Sequence, residues 1–251
     1  PLHCPLSPVP CPLSPVPFLM PHAIRIHAHG GPEVLQWEAV AASEPGPGEV
    51  LIRQTAIGLN FIDVYERTGL YPGELPAGLG REGAGVVEAV GPRVKSVAVG
   101  DRVAYASQQP GAYAQERLIA ADRVVKIPDG VSDRLAAAAM LKGLTAHFLL
   151  RRTHRVRKGD AVVVHAAAGG VGLIAAQWAR SLGAQVIGVV GSDAKAAVAR
   201  EHGCHHTLIL GRDDLPAMVR ELTGGKGANV VYDSIGKDTF IASLDCLRPL
   251  G

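Results

Sequence analysis

The sequence predicts an α/β protein in which a β-rich domain is followed by a doubly wound domain. Residues 24–128 are short apolar or alternating runs separated by Gly and Pro, which is typical of short strands and turns. From residue 161 apolar runs alternate with helical stretches, which indicates a parallel sheet covered on both faces. A glycine-rich turn follows the first of these later strands.

The composition indicates a soluble, globular protein for which nucleic acid is not the expected partner. The 251 residues are 47% hydrophobic and carry a formal net charge of +2, so a core can form and no basic stripe for nucleic acid is expected. Four cysteines without a CxxC pair suggest neither a disulfide framework nor a structural zinc site, and they favour a cytoplasmic location. The apolar runs are too short to cross a membrane.

Residues 1–19 are expected to lie outside the fold. The heptapeptide CPLSPVP occurs at 4–10 and again at 11–17, and its prolines forbid a helix or an inner strand. Two interpretations stay open, an upstream extension before a start at Met20 and a proline-rich recognition tail.

The β-rich domain is assigned to residues 20–144. It ends in a helical run from Asp133 to Met140, for which Ser132 is a plausible N-cap. A second amphipathic stretch, 144–151, leads into the doubly wound domain, which is assigned to residues 145–251.

The doubly wound domain should contain strands near 161–165, 185–190, 207–210 and 229–233. A helix after Ser234 should end near Leu247. A dinucleotide-binding sheet of two βαβαβ halves has six strands. We therefore expect the last strands to be missing, and the chain as written to bind its cofactor poorly.

The turn after the first of these strands predicts a dinucleotide site. Gly169, Gly170, Val171 and Gly172 open a helix directly after the strand. Small residues let the backbone approach a pyrophosphate, whose charge is favourable at a helix N-terminus. Ala167 stands where the usual fingerprint has its first Gly.

The end of the second strand predicts NADPH rather than NADH. An NAD-binding domain places an acid there, whereas this chain has Gly191, Ser192 and then Lys195. Small residues and a lysine suit a 2′-phosphate, which a carboxylate would repel. We interpret Asp193 as a helix N-terminal residue.

Ordered blocks from about Met20 onward carry a family resemblance. They are HGGPEVL, AIGLNFIDVYERTGLYP, GLGREGAGVVEAVG, GDRVAY, LKGLTAHFLLR, HAAAGGVGLIAAQWA and VVYDSIG. The chain resembles the zeta-crystallin-like quinone oxidoreductases of the medium-chain dehydrogenase/reductase superfamily, above all the bacterial ones. This implies a GroES-like catalytic domain over 20–144, a Rossmann domain over 145–251, and a homodimer in the full-length family.

The resemblance also implies the zinc-free branch. Zinc-dependent relatives have a cysteine ligand near Asn60 and a histidine at the position of Arg81, and a four-cysteine lobe that is absent after Tyr105. Thiolate and imidazole are the usual zinc ligands. No metal is therefore expected.

Individual site residues follow from the resemblance. Asn60, Phe61 and Tyr65 would border the cleft between nicotinamide and substrate, with Tyr71 as a weaker substrate-side candidate. Core packing is the alternative for the three aromatic residues. The remaining roles are Thr145 at the nicotinamide, Gly170 and Val171 at the pyrophosphate, Gly191, Ser192 and Lys195 at the 2′-phosphate, and Ser234 near the ribose.

The predicted activity is NADPH-dependent reduction of quinones, with Asn60 and Tyr65 donating hydrogen bonds to a developing oxyanion. Two alternatives stay open: an NADPH-dependent reductase of α,β-unsaturated carbonyls, and a non-catalytic NADPH-binding structural or RNA-binding protein. The family usually has a tyrosine near the adenosine phosphate where this chain has Leu210, so the 2′-phosphate pocket is expected to be less complete.

Overall fold

The computed structural model describes residues 20–251, and the expectations for residues 1–19 lie outside this range. None of the helices between residues 20 and 251 combines the length and the apolar character that crossing a bilayer requires.

Two antiparallel sheets form the β-rich part of the chain. A five-stranded sheet has the order β7-β3-β5-β6-β8, and a three-stranded sheet has the order β2-β1-β4. One helix, α1 (Phe61–Thr68), follows β3. The strands are β1 (His22–Ile26), β2 (Gln36–Ala39), β3 (Glu49–Gly58), β4 (Ala77–Gly78), β5 (Glu82–Val90), β6 (Arg102–Ala106), β7 (Glu116–Ala120) and β8 (Val124–Lys126).

Alternation along β3 explains how the larger sheet packs. Val50 and Ile52 are fully buried, whereas Arg53 is exposed and pairs with Glu88 on β5. Successive side chains of a strand point to opposite faces. One face of the sheet therefore forms a core around Tyr105. The other face carries the exposed Arg53–Glu88 pair at one end, and elsewhere its Ala84 and Ala104 pack against Ala136 and Ala137 in a second core.

A single helix connects the two parts. The predicted stretches 133–140 and 144–151 form one helix, α2 (Asp133–Phe148), which continues as a π-helical turn over Leu149–Thr153. The predicted cap is confirmed, because the Ser132 hydroxyl accepts from the backbone N–H of Leu135 at 3.2 Å. The helix is uninterrupted at Gly143, where an added methyl group would meet no atom within 4 Å.

The second part is a parallel sheet with the order β11-β10-β9-β12. The strand order reverses between β9 and β12, so β9, β10 and β11 lie on one side of this switch point and β12 lies on the other. Ligands of doubly wound sheets bind at this switch point, outside the carboxyl ends of the strands. The elements are β9 (Ala161–His165), α3 (Gly170–Ser181), β10 (Gln185–Val190), α4 (Asp193–Glu201), β11 (His206–Ile209), α5 (Leu215–Leu222), β12 (Val230–Tyr232) and α6 (Phe240–Asp245).

Helix α3 lies close to this sheet because its inner face is made of alanines. Ala175, Ala176 and Ala179 are buried against Val162 and Val186 of the sheet. Small side chains allow close approach while still removing apolar area from water. The helix N-terminus is thereby fixed above the carboxyl end of β9.

Candidate active site

The glycine turn lies at the switch point between β9 and β12. Ala166 adopts φ 47, a left-handed conformation that L-residues seldom adopt. Its carbonyl accepts from Gly169 N at 2.8 Å. A methyl group at Gly172 would overlap this carbonyl and lie 2.7 Å from Ala167 Cα. The turn therefore needs Gly at position 172 so that α3 can approach the strand.

Ala167, which replaces the first Gly of the usual fingerprint, fits because β10 makes room for it. Ala167 is completely buried. Gly188 of β10 lies opposite, where an added methyl group would approach Ala167 Cβ to 2.9 Å and Cys204 Sγ to 2.6 Å. The substitution thus leaves the turn intact.

A cavity of about 280 Å³ opens beside this turn. We call it the cofactor pocket, and it is lined by Ala166, Ala168, Gly169, Val189, Val190, Gly191, Lys195, Leu210 and Ile235. A methyl group at Gly191 would meet no protein atom within 4 Å, so the missing side chain leaves open space. Apolar walls, free backbone and one cation suit the adenosine half of a dinucleotide. The residues present fit NADPH.

The start of α4 brings the predicted 2′-phosphate residues together. Ser192 is the N-cap of α4, and its hydroxyl accepts from Lys195 N at 3.4 Å. Asp193 is 80% exposed and pairs with Arg212 at 3.0 Å. Asp193 is the first helical residue, as interpreted from the sequence, and its charge is opposed by an arginine that the sequence analysis did not consider.

An aromatic row borders α1 on the β-rich side. The ring centroids of Phe61 and Tyr65 are 5.2 Å apart, and those of Tyr65 and Tyr71 are also 5.2 Å apart. Phe61 is 71% exposed and Tyr71 is 50% exposed. Their rings therefore face solvent rather than the core, as a binding surface for a flat apolar acceptor would.

Asn60 holds this row to a buried carboxylate. It is the N-cap of α1, and its backbone N–H donates to Asp63 Oδ2 at 2.9 Å. Its side-chain Nδ2 donates to Glu82 Oε1 at 2.8 Å. An amide nitrogen carries two protons, so a second N–H can serve a ligand.

Glu82 accepts three hydrogen bonds while completely buried. Lys142 Nζ lies 2.5 Å from Oε1, and Leu141 N donates to Oε2 at 2.7 Å. We call Asn60, Glu82, Leu141 and Lys142 the Glu82 network. A buried carboxylate is stable only when paired and hydrogen-bonded. The sequence analysis assigned no role to Glu82 or Lys142, although an acid within a glycine-rich apolar run is an available signal.

Lys142 joins the two parts of the site. A methyl group at Gly170 would lie 2.8 Å from Lys142 Cδ, so the lysine stem crosses the first turn of α3. Its ammonium group reaches Glu82 on β5. One side chain therefore contacts both the glycine turn and the carboxylate that holds Asn60.

The residues at the zinc-ligand positions of zinc-dependent relatives are both hydrogen-bond donors. Arg81 Nε donates to Glu66 Oε1 at 2.7 Å, and Asn60 donates to Glu82. Across residues 20–251, no group of three or more His, Cys, Asp or Glu side chains is arranged to hold a metal ion. The donor set here therefore differs in kind from a zinc site.

A second carboxylate lies beneath α1. Asp63 is 4% exposed and accepts a hydrogen bond from the Tyr113 hydroxyl at 2.7 Å. Burial raises the pKa of Asp63 above its ordinary value, although the bonds from Tyr113 and Asn60 oppose this. Burial and the Asp63 carboxylate together raise the pKa of Tyr113. Both groups support the N-cap of α1 from below.

Thr145 and Ser234 are placed by different elements. Thr145 lies on α2, and its hydroxyl donates to Leu141 O at 2.8 Å, which leaves its lone pairs free to accept. Ser234 is exposed and follows the end of β12 by two residues. It therefore lies at the same sheet edge as the glycine turn.

His165, Ser243 and Asp233 resemble a hydrolytic triad only in composition. His165 Nε2 lies 3.1 Å from Ser243 Oγ, but that hydroxyl donates to Asp233 Oδ2 at 2.7 Å. Burial lowers the pKa of His165. A buried serine whose proton is held by a carboxylate is not an activated nucleophile, so this cluster supports the structure behind the turn.

Comparison with known proteins gives matches in both parts of the chain. Residues 46–129 match the family described as "Alcohol dehydrogenase GroES-like domain", and residues 170–251 match "Zinc-binding dehydrogenase". A quinone oxidoreductase of Pseudomonas aeruginosa is 53% identical over 233 residues, which are 92% of this chain and 72% of that protein. A 2-haloacrylate reductase of a Burkholderia species is also 53% identical, over 90% of this chain and 70% of that protein.

A solved structure is similar at the level of the whole fold. The Escherichia coli quinone oxidoreductase in complex with NADPH has a TM-score of 0.88 at 48% sequence identity, and the match covers 90% of this chain and 70% of that one. This confirms a GroES-like part combined with a Rossmann-type part.

Proposed function

The chain belongs to the quinone oxidoreductase family of the medium-chain dehydrogenase/reductase superfamily, and from this premise we propose that it uses NADPH to reduce quinones. The observation that carries the proposal is the cofactor pocket, in which the glycine turn, Gly191 and Lys195 surround one cavity. NADPH, when bound, supplies the reducing equivalents. Residues 20–144 form the substrate-binding domain and residues 145–251 the cofactor-binding domain.

Both backbone groups and side chains would bind NADPH in the cofactor pocket. Gly170 and Val171 present backbone N–H groups to the pyrophosphate at the start of α3, while Gly169, whose N–H bonds Ala166 O, and Gly172 shape the turn that holds them. Gly191, Ser192 and Lys195 receive the 2′-phosphate, Thr145 orients the nicotinamide end, and Ser234 lies near the ribose.

The Glu82 network orients hydrogen-bond donors toward the acceptor. Glu82 fixes Asn60 and Lys142 through bonds of 2.8 and 2.5 Å. Each donor keeps further N–H groups for an acceptor oxygen on which negative charge develops. Donors that are already oriented stabilise such charge without reorganisation. Phe61, Tyr65 and Tyr71 offer aromatic faces for a flat acceptor, and Tyr65 adds a hydroxyl donor.

We further propose that no metal takes part. The reason is that the side chains of Asn60 and Arg81 donate hydrogen bonds to Glu82 and Glu66. Elemental analysis of protein purified without chelator should give well under one zinc per chain. Stoichiometric zinc, or activity that a chelator removes and zinc restores, contradicts this proposal.

An α,β-unsaturated carbonyl is the second candidate acceptor. The observation in its favour is the 53% identity to a 2-haloacrylate reductase, which equals the identity to a quinone oxidoreductase. Both acceptor classes are electron-poor and develop charge on oxygen, so the same donors serve either.

The deciding experiment measures kcat/KM with NADPH for a panel of quinones and enones, 2-chloroacrylate included. We expect quinones to give the higher values. Higher values for the enones reverse the assignment, and a chain that binds NADPH but oxidises it with none of the acceptors overturns the proposal. A homodimer, which the family resemblance implies, is tested by sedimentation of the same preparation.

A further inference from the structure

An ion pair between Arg212 and Asp193 lies beside the cofactor pocket, since Arg212 is two residues from Leu210 and Asp193 is two residues from Lys195, and both Leu210 and Lys195 line the pocket. Arg212 Nη1 is 3.1 Å from Asp193 Oδ1 and 3.0 Å from Oδ2. The side chains are 57% and 80% exposed, respectively. Exposed pairs of this kind contribute little to stability, so holding the fold together does not explain this pair.

The sheet register brings Arg212 to this place. Strands β10 and β11 are parallel, with Val190 opposite Ile209. Leu210 N then donates to Val190 O at 2.8 Å. Three residues beyond each strand end, the start of α4 meets the turn after β11. Arg212 thus approaches the helix turn that contains Lys195.

The turn that carries Arg212 has a defined shape. Gly211 has φ 81, a left-handed conformation for which glycine is suited. Asp213 Oδ2 accepts from Ile209 N at 2.6 Å, and its other oxygen lies 3.5 Å from Arg212 Nε. The guanidinium group is therefore placed between Asp193 and Asp213.

The cavity beside this pair offers Leu210 where a polar contact to a phosphate is expected. Leu210 and Lys195 both line it, and Leu210 donates no hydrogen bond from its side chain. If Lys195 were the only cation here, the 2′-phosphate and the Asp193 carboxylate would repel each other at close range. Arg212 adds a second cation beside them. Its contacts with Asp193 and Asp213 use Nη1 and Nε, so Nη2 of the planar fork can donate to a phosphate.

We propose that Arg212 is a second cationic specificity residue for NADPH, held by Asp193 and Asp213 beside the cofactor pocket and donating to the 2′-phosphate, which the Leu210 side chain does not contact by a hydrogen bond. The proposal rests on the proposed function, because it presupposes that NADPH is the cofactor. Asp193 positions the arginine, and Asp193 no longer repels the phosphate once it is paired.

Binding of two adenosine fragments tests the proposal without turnover. Adenosine 2′,5′-bisphosphate contains the 2′-phosphate, and adenosine 5′-monophosphate lacks it. Isothermal titration should show that Arg212→Ala weakens the bisphosphate roughly tenfold, since one hydrogen bond to a charged group is lost. The monophosphate should change by less than about twofold.

Two further variants separate direct contact from charge compensation. In an Asp193→Asn background, Arg212→Ala should still weaken the bisphosphate, but by less than tenfold, because Arg212 is then held by Asp213 alone. Arg200→Ala is the matched control, because Arg200 bonds Thr207 at 2.5 Å from the last turn of α4. It should leave both affinities unchanged, and thermal unfolding should show that each variant is folded.

Three outcomes overturn the proposal. They are an unchanged bisphosphate affinity in Arg212→Ala, an equal loss for both fragments, and a loss that disappears in the Asp193→Asn background. Wild-type protein that binds both fragments equally would overturn the NADPH assignment as well. If wild type prefers the bisphosphate to the monophosphate and Arg212→Ala keeps the same preference, the role of Arg212 is overturned but the NADPH assignment is not.

Discussion

The glycine turn beside the cofactor pocket and the Glu82 network meet at Lys142, but the pocket and the network are built from different groups. The pocket is made largely of backbone and small residues from two short stretches, 166–169 and 189–195, together with Leu210 and Ile235. The network is made of charged and amide side chains separated by 22 and 60 residues. A site made of backbone tolerates no added atoms, whereas a site made of buried charges tolerates no missing partner.

Replacing Lys142 should have the largest effect on stability, and it tests whether the buried Glu82 network tolerates a missing partner. Lys142→Met leaves the Glu82 carboxylate buried without its cation, so the free energy of unfolding should fall by about 3–5 kcal/mol. Urea unfolding measures it. Combining it with Glu82→Gln should recover much of the loss, because no unpaired charge then remains buried.

Arg53→Met is the control for this prediction. Arg53 and Glu88 also form a close pair, at 2.6 Å, but their side chains are 52% and 36% exposed. The expected change is at most about 1 kcal/mol. Equal effects of Arg53→Met and Lys142→Met would show that burial of Glu82 is not what matters.

Adding one methyl group to the glycine turn tests whether a site made of backbone tolerates no added atoms. Gly172→Ala should cost about 1–3 kcal/mol, because the new atom meets backbone that side-chain rotation cannot move. Gly191→Ala should change the free energy of unfolding by less than about 0.5 kcal/mol, since it points into open space.

The same two variants separate folding from binding. Gly191→Ala puts its methyl group into the cofactor pocket, so NADPH affinity should fall while unfolding by urea stays as in wild type. Normal NADPH binding by Gly191→Ala would remove this glycine from the proposed site.

Lys195→Ala should have a smaller effect that is confined to binding. Loss of one charged contact to the 2′-phosphate should raise the dissociation constant for NADPH roughly tenfold and leave that for NADH nearly unchanged. Fluorescence titration with both cofactors measures this. An equal rise for both cofactors would place Lys195 elsewhere than at the 2′-phosphate.

The smallest expected effect on stability comes from Asp233. This carboxylate accepts hydrogen bonds from side chains in the parallel-sheet part of the chain, close to the glycine turn. Burial alone would raise the pKa of Asp233, but hydrogen bonds from Ser243, Thr239 and two backbone N–H groups lower it to about 2. The unfolded carboxyl has a pKa of 3.8. Because unfolding then takes up a proton, this stabilisation is present above pH 3.8 and is lost as the pH falls toward 2.

Asp233→Asn removes this pH dependence. Between pH 4 and pH 2, roughly the window set by the two pKa values, the variant should lose less stability than wild type. Parallel thermal melts across that range measure the difference. Identical pH profiles would show that the carboxyl is not stabilised by its four donors.

The sequence by itself determined the features that arise between near neighbours. The strands at 161–165 and 185–190 were predicted at their observed bounds, and the later two within a residue or two. The glycine turn and the Ser132 cap were also predicted. Strand alternation, helix capping and a strand–turn–helix unit all depend on residues within a few positions of one another.

Only the tertiary structure decided which distant side chains share a site. The helix break expected between Met140 and Leu144 is absent, because α2 packs along its length on both parts of the chain. Lys142 and Arg212 have no local pattern that marks them. Their partners, Glu82 and Asp193, come close through sheet register and domain packing. Coulombic contacts depend on distance in space and not along the chain, so a single sequence does not reveal them.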